Sequence, residues 1–246
     1  MKTRLDNILV QRGFFSSRSQ AAAAVMAGEV SVAGQPVFKA GAMVAPEVEI
    51  TLKEEKRFVS RGGLKLEKAF EEFHIDVSGK AALDAGASTG GFTDCLLQHG
   101  ARKVIAVDVG YGQLDWKLRN DARVEVLERT NIRNLTPGML SEPPIFATFD
   151  LSFISLKKIF PAVIKCLQPG FEAVALIKPQ FEVGRGMVGK GGIVRDEEVR
   201  AQVVSDMRDF IISSGWEVRG VAESPIRGPK GNVEFLIYFV DGGTSK

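Results

Sequence analysis

The sequence predicts an α/β domain with a mostly parallel central sheet and helices on both faces, preceded by a small α+β domain. From about residue 63 onward, strand-sized apolar runs alternate with helix-sized segments, which is typical of parallel strands joined by helices. Residues 4–51 instead show two short helical patterns followed by short alternating strands. A charged stretch at residues 53–57 separates the two patterns. We therefore predict a first domain over residues 1–55, a linker over 56–63 and a second domain over 64–246.

The first domain opens with an apolar face formed by Leu5, Ile8 and Leu9, which predicts a helix. A second helix is expected to begin at residue 17 or 18 and to end at Gly28. Short strands are expected around residues 30–32 and 48–50.

The second domain contains four predicted helices and seven predicted strands. The helices are expected at residues 63–73, 92–98, 156–167 and 197–213, with Pro161 kinking the third. The strands are expected at residues 80–84, 103–108, 124–127, 146–150, 173–177, 216–224 and 234–240.

The composition is that of an ordinary globular protein and does not by itself indicate a nucleic-acid partner. The 246 residues are 45% hydrophobic and 25% charged, which is ordinary for a globular protein. A net charge of +2 is too small to indicate a nucleic-acid partner unless basic residues cluster. Cys95 and Cys166 lie in apolar stretches and are expected to be buried thiols, so we predict neither a disulfide nor a metal site. No secretion signal or membrane-length apolar run is recognisable, and a cytoplasmic protein is expected.

Residues 81–92 form a pattern of a buried strand, a glycine-rich turn and a helix. Glycines at such a turn let the backbone approach a ligand closely, and Asp108 ends the next strand where a carboxylate can bind ribose hydroxyls. The turn departs from the dinucleotide fingerprint, and the nearby Asp84 disfavours a pyrophosphate. A carboxylate there suits the positively charged amino-acid part of S-adenosylmethionine. The predicted cofactor residues are Asp84, Gly86, Ala87, Ser88, Thr89, Gly90, Gly91, Phe92, Asp108 and Asn131.

Several segments together resemble one known family, the TlyA family of ribosomal RNA 2'-O-methyltransferases, which also carries the name haemolysin. The resemblance covers the whole chain. The segments are residues 59–66, 86–94, 150–155, 178–182, 224–226 and 231–235. It implies a Rossmann-like class I methyltransferase domain, S-adenosylmethionine as cofactor, and ribosomal RNA as partner, with a cytidine ribose as the modified group.

The resemblance also implies a catalytic set of two lysines and two carboxylates. Similar 2'-O-methyltransferases use such a set, and the matching positions are Lys65, Asp150, Lys178 and Glu234. Lys178 is the candidate that deprotonates or stabilises the ribose 2'-oxygen. Asp150 and Lys178 also follow apolar runs at the carboxyl ends of predicted strands, where open α/β sheets place ligand sites.

The N-terminal residues 4–6, 16–21 and 28–34 resemble the S4-type RNA-binding domain. Such a domain recognises folded RNA through phosphates and shape. A glycine-rich stretch at residues 184–192 either closes on the substrate or is a surface connection. The predicted RNA contacts are Arg4, Arg12, Arg18, Lys39, Arg61, Arg185 and Lys190.

Three other functions compete with a methyltransferase. A haemolytic protein would need a membrane-inserting element, and none stands out. A non-catalytic RNA-binding assembly protein would not need the lysine and carboxylate set, which is complete here. A nicotinamide-dependent oxidoreductase would need a catalytic acid that the sequence does not offer.

Overall fold

The computed structural model describes residues 2–53 and 57–243, with the side chain of Arg185 outside the description. The chain divides into two compact units between residues 56 and 57. Residues 54–56, where the predicted first domain ends and the predicted linker begins, lie outside the described residues, as do residues 1 and 244–246. Gly62 and Gly63, at the end of that predicted linker, belong to the first helix of the second unit.

The first unit packs two helices against short strands. Its elements are β1 (Thr3–Arg4), α1 (Leu5–Gln11), α2 (Arg18–Met26), β2 (Val30–Val32), β3 (Gln35–Pro36), β4 (Met43–Val44) and β5 (Ile50–Leu52). Strand β1 pairs with β4, and β2 lies between β3 and β5, all antiparallel. Ser17 caps α2 by accepting a hydrogen bond from the Gln20 amide. Helices α1 and α2 confirm the two predicted helices, and Leu5, Ile8 and Leu9 are buried in the core of the unit.

The second unit is built around one large sheet. Its helices are α3 (Gly62–Phe73), α4 (Gly91–Gln98), α5 (Trp116–Arg119), α6 (Phe160–Ile164), α7 (Pro179–Glu182) and α8 (Glu197–Ser213). Its strands are β6 (Ala81–Ala85), β7 (Lys103–Val107), β8 (Val124–Leu127), β9 (Phe146–Phe149), β10 (Glu172–Ile177), β11 (Trp216–Glu223) and β12 (Phe235–Asp241).

The sheet has the order β11-β12-β10-β9-β6-β7-β8. The five strands from β10 to β8 are parallel, whereas β12 runs antiparallel to both β10 and β11. Two separate hydrophobic clusters cover the sheet, one containing α3 and α4 and the other containing α6 and α8. The predicted mostly parallel sheet with helices on both faces is thus confirmed.

The predicted helix over residues 156–167 is wrong in its extent. The structure has a 3-10 turn at Leu156–Lys158 and only a short helix, α6, with Pro161 in its first turn. Proline lacks a backbone N–H and fits the first turn of a helix, where that donor has no partner within the helix. Pro161 therefore begins a new helix instead of kinking a long one.

The two cysteines are free and buried, as predicted. Cys95 lies on α4, and burial raises the pKa of its thiol above its ordinary value. The thiol of Cys166 donates to the Ala162 carbonyl. Both thiols are therefore part of the packing of the second unit.

Candidate active site

The sheet topology brings polar residues from distant segments to one edge. Parallel strands β6, β7, β9 and β10 all end at this edge, where Asp150 follows β9 and Lys178 follows β10. Strand β12 is antiparallel, and its first residue, Phe235, pairs with Ile177 at the end of β10. The side chain of Glu234, just before β12, therefore belongs to the same edge. This is where open α/β sheets bind ligands.

The glycine-rich turn after β6 depends on Gly86. Its φ is +90°, and a Cβ atom at this position would lie 2.6 Å from the carbonyl oxygen of Asp150. Any other side chain would be strained and would push these two segments apart. Gly90, with φ +95°, precedes α4 and packs against leucines away from the cavities described below.

A cavity of about 480 Å³ lies between this turn and the ends of β7 and β9. Asp108, at the end of β7, accepts hydrogen bonds from the amides of Ser88 (2.8 Å) and Gly110 (2.7 Å). These two bonds fix the carboxylate at the cavity wall. The remaining wall combines apolar side chains with polar ones, and includes Gly86, Val107, Thr130, Asn131, Ile132, Arg133, Leu151 and Phe153.

Asp84 is placed differently from the prediction. Its carboxyl group is fully buried between α4 and β9, where it accepts hydrogen bonds from the hydroxyls of Thr93 (2.7 Å) and Thr148 (3.0 Å). Burial raises its pKa to about 6, and the nearby Asp150 charge acts in the same direction. The side chain thus joins a helix to the sheet beneath the turn and lines none of the three cavities described in this section.

The four residues of the predicted catalytic set form two ion pairs. Lys65 on α3 contacts Glu234 at 2.5 Å, with side-chain exposures of 9% and 1%. The Nζ of Lys178 lies 2.6 Å from Oδ1 of Asp150. Both lysines are buried, so their charges are screened little by water.

The two pairs share adjoining cavities. Lys65, Asp150 and Lys178 line a cavity of about 270 Å³ together with the glycine-rich turn. Lys178 also lines a neighbouring cavity of about 380 Å³ with Glu234. Lys178 therefore borders both spaces.

The structure assigns contacts to residues for which sequence reasoning gave no role. Ser152 lines all three cavities, and its Oγ accepts a hydrogen bond from Lys178 Nζ at 3.0 Å. The buried Asn232 accepts from the Val194 amide and donates to the Gly192 carbonyl, so it joins the 189–194 segment to the turn before Glu234. Both residues lie within or beside motifs that carry the family resemblance, and those motifs are the sequence signal from which a role for them could have been predicted.

The remaining predicted cofactor residues lie along the cavities. Asn131 and Asp108 line the 480 Å³ cavity, and Gly86 and Ser88 line it as well as the 270 Å³ cavity. The 270 Å³ cavity is also lined by Ala87, Thr89, Gly91 and Phe92.

The predicted RNA contacts are spread over both units. Arg61 lines the 270 Å³ cavity, and Lys190 is exposed. In the first unit, Lys39 is exposed, whereas Arg12 donates to the backbone carbonyls of Val48 and Pro46. The other two first-unit arginines, Arg4 and Arg18, share one carboxylate.

Residues 58–240 match the family described as FtsJ-like methyltransferase, and residues 3–50 match the S4 domain. The chain belongs to the FtsJ-like methyltransferase family. The S4 match likewise confirms the N-terminal domain type. The resemblance to the TlyA family, made on the motifs, is also confirmed by the relatives.

Two relatives and one solved structure cover nearly the whole chain. The 16S/23S rRNA (cytidine-2'-O)-methyltransferase TlyA of Mycobacterium tuberculosis is 48% identical over 96% of this chain and 89% of that protein. Hemolysin A of Brachyspira hyodysenteriae is 45% identical over 96% of this chain and 99% of that protein. A solved structure described as a hemolysin from Streptococcus thermophilus is 46% identical, with a TM-score of 0.76 over 98% of this chain and 89% of that one.

The described residues contain neither a membrane-spanning helix nor a group of metal-binding side chains. Within residues 2–53 and 57–243, no helix has both the length and the apolar character needed to cross a membrane. Over the same ranges, no three histidine, cysteine or acidic side chains are grouped so that they could hold a metal ion.

Proposed function

We propose that this protein uses S-adenosylmethionine to methylate a ribose 2'-hydroxyl of ribosomal RNA. One observation carries the proposal. Two buried ion pairs, Lys65–Glu234 and Lys178–Asp150, meet beside a glycine-rich turn at the carboxyl edge of the sheet. Methyl transfer to a hydroxyl needs close alignment of two reactants and a group that takes up a proton, and this arrangement can supply both.

The cavities fit the proposed cofactor. The Asp108 carboxylate retains acceptor capacity for ribose hydroxyls, and apolar side chains such as Ile132 and Leu151 offer surface to an adenine ring. Gly86 allows the turn to approach the Asp150 carbonyl closely, so that both segments lie at the wall of the 480 Å³ cavity. When bound, the cofactor would supply an electrophilic methyl group on a positively charged sulfur.

Lys178 is the proposed proton acceptor. Asp150 Oδ1 and Ser152 Oγ both contact its Nζ, so the nitrogen has a defined position in a residue that borders both cavities. Nζ gives one proton to solvent before the step, and as an amine it then takes the proton of the 2'-hydroxyl. The ammonium that results remains paired with Asp150. In this proposal Lys65 and Glu234 contribute a second, internally balanced charge pair.

The 380 Å³ cavity is the proposed site of the target nucleoside. Phe153 is 89% exposed at its rim, and its ring centroid lies 5.1 Å from that of Phe181. Exposed aromatic rings stack on unpaired bases. Because the Mycobacterium tuberculosis relative is named a (cytidine-2'-O)-methyltransferase, cytidine is the proposed base. We propose that the S4 domain contributes the second RNA contact and that the protein acts in the cytoplasm, where ribosomes are.

Methyl transfer to ribosomal RNA tests the proposal directly. Undermodified ribosomal subunits and free ribosomal RNA are incubated with tritium-labelled S-adenosylmethionine and with wild-type protein, Lys178→Ala or Lys165→Ala. Lys165 is an exposed lysine at the end of α6, which makes it a matched control. We expect transfer with wild type and Lys165→Ala, and loss of at least about a hundredfold in rate with Lys178→Ala. Cofactor binding, followed by calorimetry, should survive in all three.

The position of the label separates the proposal from other methylations. A methylated 2'-oxygen cannot attack the neighbouring phosphate, so labelled nucleotides should resist alkaline cleavage and should be recovered as cytidine derivatives. Label that alkali releases as single nucleotides would point to base methylation. If no ribosomal substrate accepts label, the proposed activity is wrong.

A further inference from the structure

Asp6, in the first turn of α1, is a buried carboxylate shared by two arginines. Its side chain is only 3% exposed, yet it receives three hydrogen bonds from guanidinium groups. Arg4 donates from Nε to Oδ1 (3.1 Å) and from Nη2 to Oδ2 (2.8 Å). Arg18 donates from Nε to Oδ2 (3.0 Å). One acidic side chain thus fixes two arginines that lie 14 positions apart in the chain, at residues 4 and 18.

Both arginines keep exposed donors on the side away from Asp6. The Arg4 side chain is 44% exposed and that of Arg18 is 57% exposed. Within the described residues, no hydrogen bond is formed by Nη1 of Arg4 or by either terminal nitrogen of Arg18. Arg4 is held further by Gly41, where a Cβ atom would come within 2.9 Å of Nη1.

The carboxylate remains charged over the whole physiological range. Hydrogen bonds from Arg4, then those from Arg18, lower the pKa of Asp6 to about 2, against the opposing effect of burial. The three groups together therefore carry one net positive charge. The orientation of the two guanidinium groups is determined by a residue that water and RNA barely reach.

We propose that Asp6 is a positioning residue for RNA: it holds Arg4 and Arg18 as a preformed pair of donors for the phosphate backbone. The inference rests on the proposed RNA-binding role of the first unit. Guanidinium groups recognise phosphate oxygens through paired N–H donors, and groups fixed in advance lose less conformational freedom on binding. Asp6 itself does not contact the RNA.

Charge counting makes the opposite prediction, which gives the inference a clear test. Removing an acidic group strengthens binding to a polyanion if only net charge matters. If Asp6 positions the two arginines, Asp6→Asn should weaken binding although the protein becomes more positive. Glu47→Gln is the matched control, because Glu47 is an exposed acid of the same unit and its replacement changes the net charge equally.

The experiment uses the full chain and unmodified ribosomal RNA transcripts. We expect Asp6→Asn to raise the KM for RNA by about tenfold, equivalent to about 1.4 kcal/mol, with kcat at saturating RNA and the KM for S-adenosylmethionine unchanged. Glu47→Gln should leave the KM for RNA unchanged or lower it. Filter retention of labelled transcript gives the same comparison without methyl transfer, so failure of the proposed activity and failure of this inference remain distinguishable.

A double-variant cycle separates positioning from loss of folding. If Asp6 acts through the two arginines, Asp6→Asn should cause little further loss in an Arg4→Ala, Arg18→Ala background. An undiminished loss in that background would show that Asp6 only maintains the fold and would overturn the inference. Binding by Asp6→Asn that equals or exceeds binding by Glu47→Gln would overturn it as well.

Discussion

Replacing Lys65 with methionine should destabilise the second unit strongly. The change removes the partner of Glu234, whose side chain is 1% exposed, and leaves a charge that water cannot reach. Met has a similar length and fills the same space, so the main effect is electrostatic. Removing one partner of a buried ion pair costs about 3–5 kcal/mol. For a unit of this size, that cost lowers the melting temperature by on the order of 10 °C.

The same helix supplies the control. Lys68 on α3 pairs with Glu72 at 2.7 Å, but the side chains of this pair are 38% and 47% exposed. Exposed pairs of this spacing contribute little to stability, so Lys68→Met should lower the melting temperature by only about 1–2 °C. Helix propensity changes little in either variant, since Lys and Met are both good helix formers.

Thermal denaturation followed by circular dichroism measures both changes. A double variant, Lys65→Met with Glu234→Gln, leaves no uncompensated charge and should be more stable than Lys65→Met alone. Equal effects of Lys65→Met and Lys68→Met would refute the reasoning. The reasoning would also be refuted if the double variant lost as much stability as Lys65→Met and Glu234→Gln lose together as single variants.

Two further predictions concern the strand end and the turn after it. Because the pKa of Asp84 is raised from 3.8 to about 6 in the folded protein, its stabilising contribution is present below pH 3.8 and is lost as pH rises through about 6. Wild type should therefore lose up to about 3 kcal/mol relative to Asp84→Asn across this range, and parallel denaturation curves for the two proteins would contradict the assignment. Gly86→Ala should weaken S-adenosylmethionine binding by about tenfold or more, because its Cβ would meet the Asp150 carbonyl. Gly112 is the control, because its φ is +68° but nothing lies within 4 Å of the position its Cβ would take. Gly112→Ala should lose about 1 kcal/mol of stability and retain its affinity for S-adenosylmethionine in calorimetry. If Gly86→Ala and Gly112→Ala lost the same affinity, a clash with the Asp150 carbonyl would be excluded as the cause.

Local patterns were sufficient for most of the secondary structure. The buried runs that became β6, β7 and β9 are recognisable because apolar stretches of strand length lie between turn residues. The failure at residues 156–167 has a local cause. Apolar spacing there fits a helix, but Pro161 cannot donate a backbone hydrogen bond and marks the first turn of a shorter one.

The four residues that the resemblance predicts as a catalytic set lie together in the structure, but their pairing was not predictable from the sequence. Resemblance identified Lys65, Asp150, Lys178 and Glu234, and the strand-end positions of Asp150 and Lys178 supported two of them independently. Which lysine pairs with which carboxylate depends on contacts across the fold. Lys65 and Glu234 are 169 residues apart and meet because β12 enters the sheet antiparallel to β10.

The sequence by itself determined the alternation of strands and helices, the glycine-rich turn and the residue types available for chemistry. These features depend on residues that are close together in the chain, so side-chain periodicity and backbone stereochemistry are enough to predict them. Only the tertiary structure decided that Asp84 is enclosed between two threonines, that Ser152 holds Lys178, and that Asp6 joins two arginines. The physical reason is that burial and hydrogen-bond partners are set by residues far away in the chain, so the same aspartate can bind a ligand, support a sheet or orient a cation.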